Sequence, residues 1–232
     1  MNTSVIFEDT NILVINKPSG LVVHPYDFST EETLLDFLEE HSPELCENIP
    51  DNTMTLQDGR TINLGGIVHK LDRDTSGVMV IAKNKNTFNE LQAQFRSHVT
   101  SKKYIAVVEG VLQEDALTID SPLGRNKKDY KQVANPENPR GELREALTLV
   151  RVLERKKESN TTLVELTPKT GRTHQLRAHM TSTGHPIVGD KAYGSVVESP
   201  RIMLHAQSLS FELDGKIHTY TADVPEGFIL TI

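Results

Sequence analysis

Two carboxylates, two cations and an imidazole stand side by side within the first third of the chain, in residues 69–74, HKLDRD. Thr75-Ser76-Gly77 follows, and then the apolar run VMVIA of residues 78–82, which predicts a buried strand. A carboxylate at the entrance of such a strand, among cations, should be held ionised and oriented, as a nucleophile or a base must be. Asp72 is the more inward acid, because it follows Leu71. A turn capped by Asp and Thr side chains is the alternative interpretation.

Residues 168–177, PKTGRTHQLR, form a second group of this kind. The pattern predicts a strand, a glycine turn and then the N-terminus of a helix. Exposed amides, threonine hydroxyls and the guanidinium groups of Arg172 and Arg177 suit an anion such as phosphate. The segment matches neither a P-loop nor a dinucleotide-binding fingerprint, and an ordinary capped helix start explains it equally well. We expect the two arginines to face different partners, one outside and one inside.

Tyr104 is a third candidate, because it follows Ser101-Lys102-Lys103 at the start of a predicted strand. Tyrosines at such positions are usually packing residues. An aromatic ring near cations can also serve as a stacking surface for a nucleobase.

The charge of the chain is distributed unevenly around its net value of −7. Residues 68–177 hold 20 Lys and Arg against 14 Asp and Glu, a net charge of +6, whereas residues 1–67 have a net charge of −10. A basic middle could focus a positive field on one face, so a polyanionic partner is allowed. A solvated helix face or loop would give the same distribution.

Several locations and classes of protein find no support in the sequence. The N-terminus lacks the basic and apolar regions of a secretory signal, and no apolar run approaches the roughly 18 residues of a membrane span. Cys46 is the single cysteine of the chain, so an intrachain disulfide is excluded. We therefore expect a cytoplasmic protein that does not contact a membrane.

Strands are the main elements that must position the candidate groups. Short β-branched runs predict strands near residues 4–7, 12–15, 78–82, 104–109, 146–153, 161–167, 203–213 and 218–222, and residues 154–160 are expected to connect a hairpin. Residues 42–60 and 121–144 are expected to be irregular. Helices are too few for regular βαβ alternation, so the pattern predicts one α+β domain with a mixed or antiparallel sheet.

Three helices are predicted. The first should run from a cap at Ser29 or Thr30 to about residue 41, and the third should cover about residues 174–183. For the second, Asn84 is the expected cap, and the apolar positions are Phe88, Leu91, Phe95 and Val99.

Seven blocks of the sequence, in the family's order and covering most of the chain, resemble the RluA-type RNA pseudouridine synthases. They are residues 11–25 (NILVINKPSGLVVHP), 68–83 (VHKLDRDTSGVMVIAK), 103–110 (KYIAVVEG), 121–125 (SPLGR), 170–179 (TGRTHQLRAH), 185–194 (HPIVGDKAYG) and 201–211 (RIMLHAQSLSF). The combination of HxLDxxTSG with TGRTHQxR is highly specific.

The resemblance implies a reaction, the isomerisation of uridine in RNA to pseudouridine. The bond from C1′ to nitrogen is cut, the uracil rotates in place, and it rejoins the sugar through carbon 5. This step is neither a redox reaction nor a hydrolysis, so we expect no cofactor and no metal. The expected partner is a stem-loop of ribosomal or transfer RNA, whose target base must be flipped out.

The resemblance also implies three catalytic residues. Asp72 matches the invariant aspartate, which acts either as nucleophile at the sugar or as the base that abstracts a sugar proton to give a glycal. Arg177 matches the arginine that pairs with this aspartate and would hold it ionised and oriented. Tyr104 matches the tyrosine that stacks on the target base and is placed to help with proton transfer.

Other residues are implied to bind the substrate. Leu176 matches a position that lines the base pocket. Position 70 is usually arginine and packs where the flipped nucleotide was; Lys70 keeps the charge without the planar guanidinium. The further substrate-binding residues expected are His69, Arg73, Thr75, Ser76, Gly77, Arg125, Arg172, Thr173 and His174, and Lys127, Lys128 and Lys131 are added as candidates for phosphate.

The implied fold is the pseudouridine synthase fold, an α+β arrangement with a central, mixed, largely antiparallel sheet in two lobes and flanking helices and loops. We expect residues 1–232 to form one catalytic domain with an acidic insertion at about 27–60, and we expect a monomer with no obligate protein partner. Many relatives carry a small basic RNA-binding domain before the catalytic part. The first block begins at about residue 11, so that domain is expected to be absent.

Two other functions are compatible with parts of the pattern. One is a catalytically silent RNA-binding or chaperone module on the same fold, against which the intact Asp72, Tyr104 and Arg177 argue. The other is a metal-dependent hydrolase that would use His69, Asp72, Asp74, His174 and His179. His174 and His179 are five residues apart and lie poorly on one helical face, and the chain holds no HExxH arrangement.

Overall fold

A computed structural model describes residues 3–26, 31–126, 131–134, 136 and 139–228. Fourteen strands occur within these ranges: β1 (Ser4–Glu8), β2 (Ile12–Lys17), β3 (Thr53–Thr55), β4 (Thr61–Asn63), β5 (Ser76–Ala82), β6 (Ser101–Glu109), β7 (Ala116–Asp120), β8 (Leu123–Arg125), β9 (Gln132–Ala134), β10 (Arg140–Arg144), β11 (Leu147–Lys156), β12 (Thr161–Pro168), β13 (Leu204–Leu213) and β14 (Lys216–Thr221). Four α-helices accompany them: α1 (Leu34–His41), α2 (Leu45–Asn48), α3 (Lys85–Arg96) and α4 (Gln175–Ser182). Antiparallel pairing of strands dominates and helices are few, so the predicted α+β class is confirmed.

The chain divides into two compact units. The first unit comprises Met1–Thr100 and Ser208–Ala222, and the second comprises Ser101–Gln207 and Asp223–Ile232. Among the described helices of both units, none has the length and apolarity of a membrane span.

The first unit is built on strand β5, whose seven residues are all buried. Strand β2 pairs with β5 and with β1, both antiparallel, and β13 pairs with β14 as a hairpin. Helix α3 contributes Phe88, Leu91 and Phe95 to the core, and the Asn84 side chain accepts from the amide of Thr87, so the predicted cap is confirmed. The prediction that Val99 lies on the same helix is wrong, because the helix ends at Arg96 and Val99 is exposed.

The acidic segment 27–60 contributes to the core of the first unit. Leu34, Leu38, Leu45 and Ile49 are buried, in α1, in α2 and just after α2. The expectation of an irregular chain over residues 42–60 is therefore wrong, because these residues include α2 and β3.

Helix α1 begins later than predicted. Its cap is Thr33, in a reciprocal arrangement with Asp36: each backbone amide donates to the other residue's side chain. The expected caps, Ser29 and Thr30, lie outside the described residues.

The second unit contains an antiparallel sheet in the order β6-β12-β11-β7. Ile105, Val150, Val164 and Leu166 lie in its core, which includes residues of α4. The predicted hairpin is confirmed, although β11 extends through Lys156, so that the connection is shorter than residues 154–160.

A separate three-stranded sheet in the order β10-β8-β9 belongs to the second unit. The prediction of a loop over residues 121–144 is wrong in this respect. The three strands have three, three and five residues, and β10 is exposed throughout, so that none has the alternation that marks a half-buried strand.

Candidate active site

The loop that carries Asp72 is tied through its backbone to the turn that follows β2. The carbonyl of Arg73 accepts a hydrogen bond of 2.9 Å from the amide of Gly20. The carbonyl of Asp74 accepts one of 2.7 Å from the hydroxyl of Ser19. Hydrogen bonds thus hold Arg73 and Asp74, the two residues that follow Asp72, and the position of Asp72 is set through them.

Lys17 strengthens this attachment from inside the first unit. Its side chain has no exposed surface, and its Nζ donates to the carbonyls of Pro18, Leu21 and Arg73 at 2.9, 2.8 and 2.9 Å. A buried ammonium group needs such acceptors, because its removal from water is costly. The ammonium group of Lys17 thus holds the turn after β2 and the residue after Asp72 together.

His69 is engaged by the core of the first unit. Its ring stacks on Phe95, with centroids 4.3 Å apart, and its Nε2 accepts from the amide of Val80 at 3.1 Å. In the neutral ring the proton is then on Nδ1. The contacts fix the start of the Asp72 loop against α3 and β5, while substrate binding by His69 stays a prediction.

The other candidates of this loop differ in exposure. Thr75 and Ser76 are buried at the start of β5, and Gly77 has a φ of 126°, which favours glycine. Lys70 and Arg73 are exposed, and Arg73 forms an ion pair of 3.2 Å with Glu31. The loop thus has a buried segment after Asp72, at residues 75–77. It also has two surface cations, one on each side of Asp72 in the sequence.

In the second unit, the side-chain amide of Gln175 fixes the glycine turn before α4. Its Oε1 accepts from the hydroxyl of Thr170 at 2.7 Å and from the amide of Arg172 at 3.1 Å. Its Nε2 donates to the carbonyl of Leu147 and the hydroxyl of Thr148, at 3.0 and 3.1 Å. All the strong bonding positions of this buried amide are used, so the turn is joined to β11.

Arg177 forms a buried, bidentate ion pair with Asp190. Nε and Nη2 donate to the two carboxylate oxygens at 2.6 and 2.9 Å, and Asp190 has no exposed surface. The guanidinium carbon also lies 4.7 Å from the centre of the Tyr193 ring. Arg177 is thus the arginine of the pair that faces inward, and its pairing with Asp72 stays a prediction.

Asp190 was missed by the sequence analysis. It lies in HPIVGDKAYG, a block that was quoted for the resemblance without a role for its acid. Oδ1 also accepts from the amide of Tyr193 at 3.2 Å, so the carboxylate caps a short 3-10 helix, Lys191–Tyr193, while it holds Arg177. A carboxylate just before a short helical turn was the available signal.

Three more predicted residues belong to the second unit. His174 has left-handed backbone angles, and its Nδ1 lies 3.0 Å from the hydroxyl oxygen of Tyr193. Leu176 is buried in the unit's core, and Tyr104 is half-buried against the same core. The expected roles of Leu176 in lining the base pocket and of Tyr104 in stacking on the base stay predictions.

Arg125, Arg172 and Thr173 line one cavity of the second unit, with a volume of about 530 Å³. These three predicted substrate-binding residues are thus brought together by β8 and the turn before α4. Lys131 lines a different, smaller cavity. Lys127 and Lys128 lie outside the described residues.

His179 is held inside the second unit by two polar contacts. Its Nε2 donates to the carbonyl of Ser121 at 2.9 Å, and its Nδ1 accepts from the hydroxyl of Thr148 at 2.8 Å. Burial lowers the pKa of this imidazole below its ordinary 6.5. His179 is therefore stable in the neutral form that these two contacts require.

Comparison with known proteins gives one consistent result. Residues 11–182 match the family model described as RNA pseudouridylate synthase. An uncharacterized RNA pseudouridine synthase, YlyB, of Bacillus subtilis is 36% identical over 97% of this chain and 70% of its own length. Ribosomal large subunit pseudouridine synthase D of Borreliella burgdorferi is 36% identical over 98% of this chain and 67% of its own length.

Other similar proteins extend the comparison. The dual-specificity RNA pseudouridine synthase RluA of Vibrio parahaemolyticus is 37% identical over 90% of this chain and 77% of its own length. The solved human RNA pseudouridylate synthase domain containing 1 superposes with a TM-score of 0.76, at 28% identity, over 97% of this chain and 84% of that one. The predicted fold is thereby confirmed.

Replacement of Lys17 by methionine should lower the free energy of unfolding by at least about 2 kcal/mol, because three carbonyls lose a buried donor. Urea unfolding measures this loss. Lys83→Met is the matched control: Lys83 forms an ion pair with Glu8 at the surface of the same unit, and its loss should cost about 1 kcal/mol or less. Equal losses in the two variants would contradict the role given to Lys17.

The depressed pKa of His179 predicts that stability falls in acid. Below about pH 6.5 the unfolded chain binds a proton that the folded imidazole resists, so this contribution is present above 6.5 and declines as the pH falls toward the lower folded pKa. Thermal unfolding across this range should show a weaker pH dependence in His179→Gln than in the wild type. A wild-type dependence in His179→Gln would disprove the assignment.

Proposed function

The chain belongs to the RNA pseudouridylate synthase family, and from this premise we propose that it isomerises specific uridines of ribosomal RNA to pseudouridine. The family makes it an RNA isomerase; the substrate and the roles of individual residues are the proposal. Ribosomal RNA is favoured because similar proteins are named ribosomal large subunit pseudouridine synthases. Transfer RNA is the second candidate, because another similar protein is named a dual-specificity enzyme.

The observation that supports the proposal most is the attachment of the Asp72 loop. A carboxylate that attacks or deprotonates a sugar must be placed within a fraction of an ångström. Three hydrogen bonds, from the amide of Gly20, the Nζ of Lys17 and the hydroxyl of Ser19, hold the carbonyls of the two residues after Asp72. The side chain can thus be presented without being part of the core, since Asp72 is only half-buried.

In the proposed reaction, Asp72 begins the cleavage of the bond between C1′ and N1 of the flipped uridine. It does so as a nucleophile at C1′ or as the base that removes a sugar proton. The uracil rotates, and C5 bonds to C1′ as the aspartate leaves C1′ or as the sugar proton is returned. The hydrogen of C5 then leaves as a proton while N1 gains one, so that substrate and product are isomers. Tyr104 stacks on the base and assists proton transfer, and Arg177 orients the aspartate.

The remaining residues serve the RNA. Lys70 is proposed to occupy the space of the flipped nucleotide, and its exposure leaves it able to do so. The proposal also includes a cytoplasmic location, a monomeric state and no obligate protein partner. A catalytically silent RNA-binding module is the alternative.

Replacement of Asp72 by asparagine should abolish the reaction while leaving RNA affinity within a few fold. Pseudouridine formation replaces the C5 hydrogen, so tritium release from RNA labelled with [5-³H]uridine measures it, on total RNA from cells that lack the gene. We expect a loss of at least about 10²-fold, because the reacting group is removed. Asp74→Asn changes the same charge in the same loop and should stay within a few fold of the wild type.

Two outcomes would contradict the proposal. Tritium release by Asp72→Asn at the wild-type rate would remove the aspartate from the chemistry. RNA binding by the wild type with no release of tritium from any cellular RNA would favour the silent module.

A further inference from the structure

The cavity of the second unit is lined by many more cations than acids. Among its described lining residues are four arginines and one carboxylate: Arg125, Arg140, Arg144, Arg172 and Glu142. Arg140 and Arg144 were not among the sequence candidates. The cavity is thus a concave surface whose described side chains carry a net charge of about +3.

Two of these arginines stand directly opposite each other on neighbouring strands. Arg125 of β8 and Arg140 of β10 are partners in the antiparallel register. Like charges in that position destabilise a sheet, and an anion between them would remove the repulsion. Both guanidinium groups line the cavity, so one anion can lie between them.

The turn before α4 supplies a third guanidinium to the lining of the cavity, that of Arg172. Arg172 is held by its amide, which donates to Gln175, and by its Nε, which donates to the carbonyl of Glu145 at 3.0 Å. Gln175 is in turn bonded to β11. One arginine is thus preorganised on a fixed turn, while Arg140 and Arg144 stand on an exposed strand.

We propose that this cavity binds at least two successive phosphates of the RNA backbone, with Arg140 and Arg144 as binding residues beside Arg125 and Arg172. The volume of about 530 Å³ is in the range of sites for whole ligands and exceeds the need of one phosphate. Guanidinium groups bind phosphate oxygens in a bidentate manner. This inference rests on the proposed function, because it takes RNA as the substrate.

The test compares two charge-removing variants of the second unit. Arg140→Gln/Arg144→Gln changes only residues of the exposed strand β10. Arg151→Gln is the matched control, because Arg151 is an exposed arginine of β11 that does not line the cavity. Binding to ribosomal RNA from cells that lack the gene is measured between about 50 and 200 mM salt, where phosphate contacts dominate the salt dependence. Thermal unfolding confirms that each variant is folded.

The double variant should bind RNA about 10-fold more weakly at low salt. The slope of log K against log salt should decrease in magnitude by about 1 to 2, because each phosphate contact contributes about 0.7 to 0.9. Tritium release at saturating RNA should stay within about twofold of the wild type, and KM should rise. The control should leave the slope unchanged.

Two results would overturn the inference. One is a salt slope in the double variant equal to that of Arg151→Gln. The other is a combined result: inorganic phosphate stabilises the wild type but not the double variant, and RNA binding is the same in both. The cavity would then be a site for a free anion. Binding does not require chemistry, so these results are independent of whether Asp72→Asn loses activity.

Discussion

Buried positive charge must be neutralised or fully hydrogen-bonded, and this constraint organises both units. Lys17 meets it with three backbone carbonyls, and Arg177 meets it with the carboxylate of Asp190. Removing one partner of such an arrangement leaves a buried group without compensation, which costs several kcal/mol. The partners therefore have one favourable position. The conformations of the segments that carry them are determined as strongly as those of segments that carry buried apolar residues.

The consequence is that rigid polar anchors lie directly beside the residues proposed to react or bind. In the first unit, the carbonyl of Arg73, the residue after Asp72, accepts a hydrogen bond from Lys17. In the second, Gln175 fixes the turn from which Arg172 reaches the cavity. Side chains that are proposed to bind a variable RNA can remain at the surface, because buried hydrogen bonds hold their backbones.

The sequence predicted the elements whose side chains repeat with a clear period. The spacing of Phe88, Leu91 and Phe95 and the cap at Asn84 defined α3, and the apolar run defined β5. The small sheet was missed because strands of three to five residues are too short to show a period. Its existence depends on pairing between distant residues, such as Arg125 with Arg140.

The anchors were harder to predict than the elements. Hydropathy places a lysine such as Lys17 at the surface, and only the folded chain reveals the carbonyls that surround it. Arg172 and Arg177 were expected to face different partners, but Asp190, the partner of Arg177, lies 13 residues away in a connection without periodicity. Motif resemblance identified the blocks that contain these residues, and the physical reason for them required the structure.

The central claim is that this chain makes pseudouridine in cellular RNA. The most direct measurement is a map of pseudouridine across total RNA in cells with and without the gene, by chemical modification and sequencing, with the gene restored on a plasmid. The account predicts that one or a few uridines, in ribosomal RNA first, lose the modification on deletion and regain it with the wild-type gene. An unchanged map under every growth condition, from cells that make the protein, would contradict it.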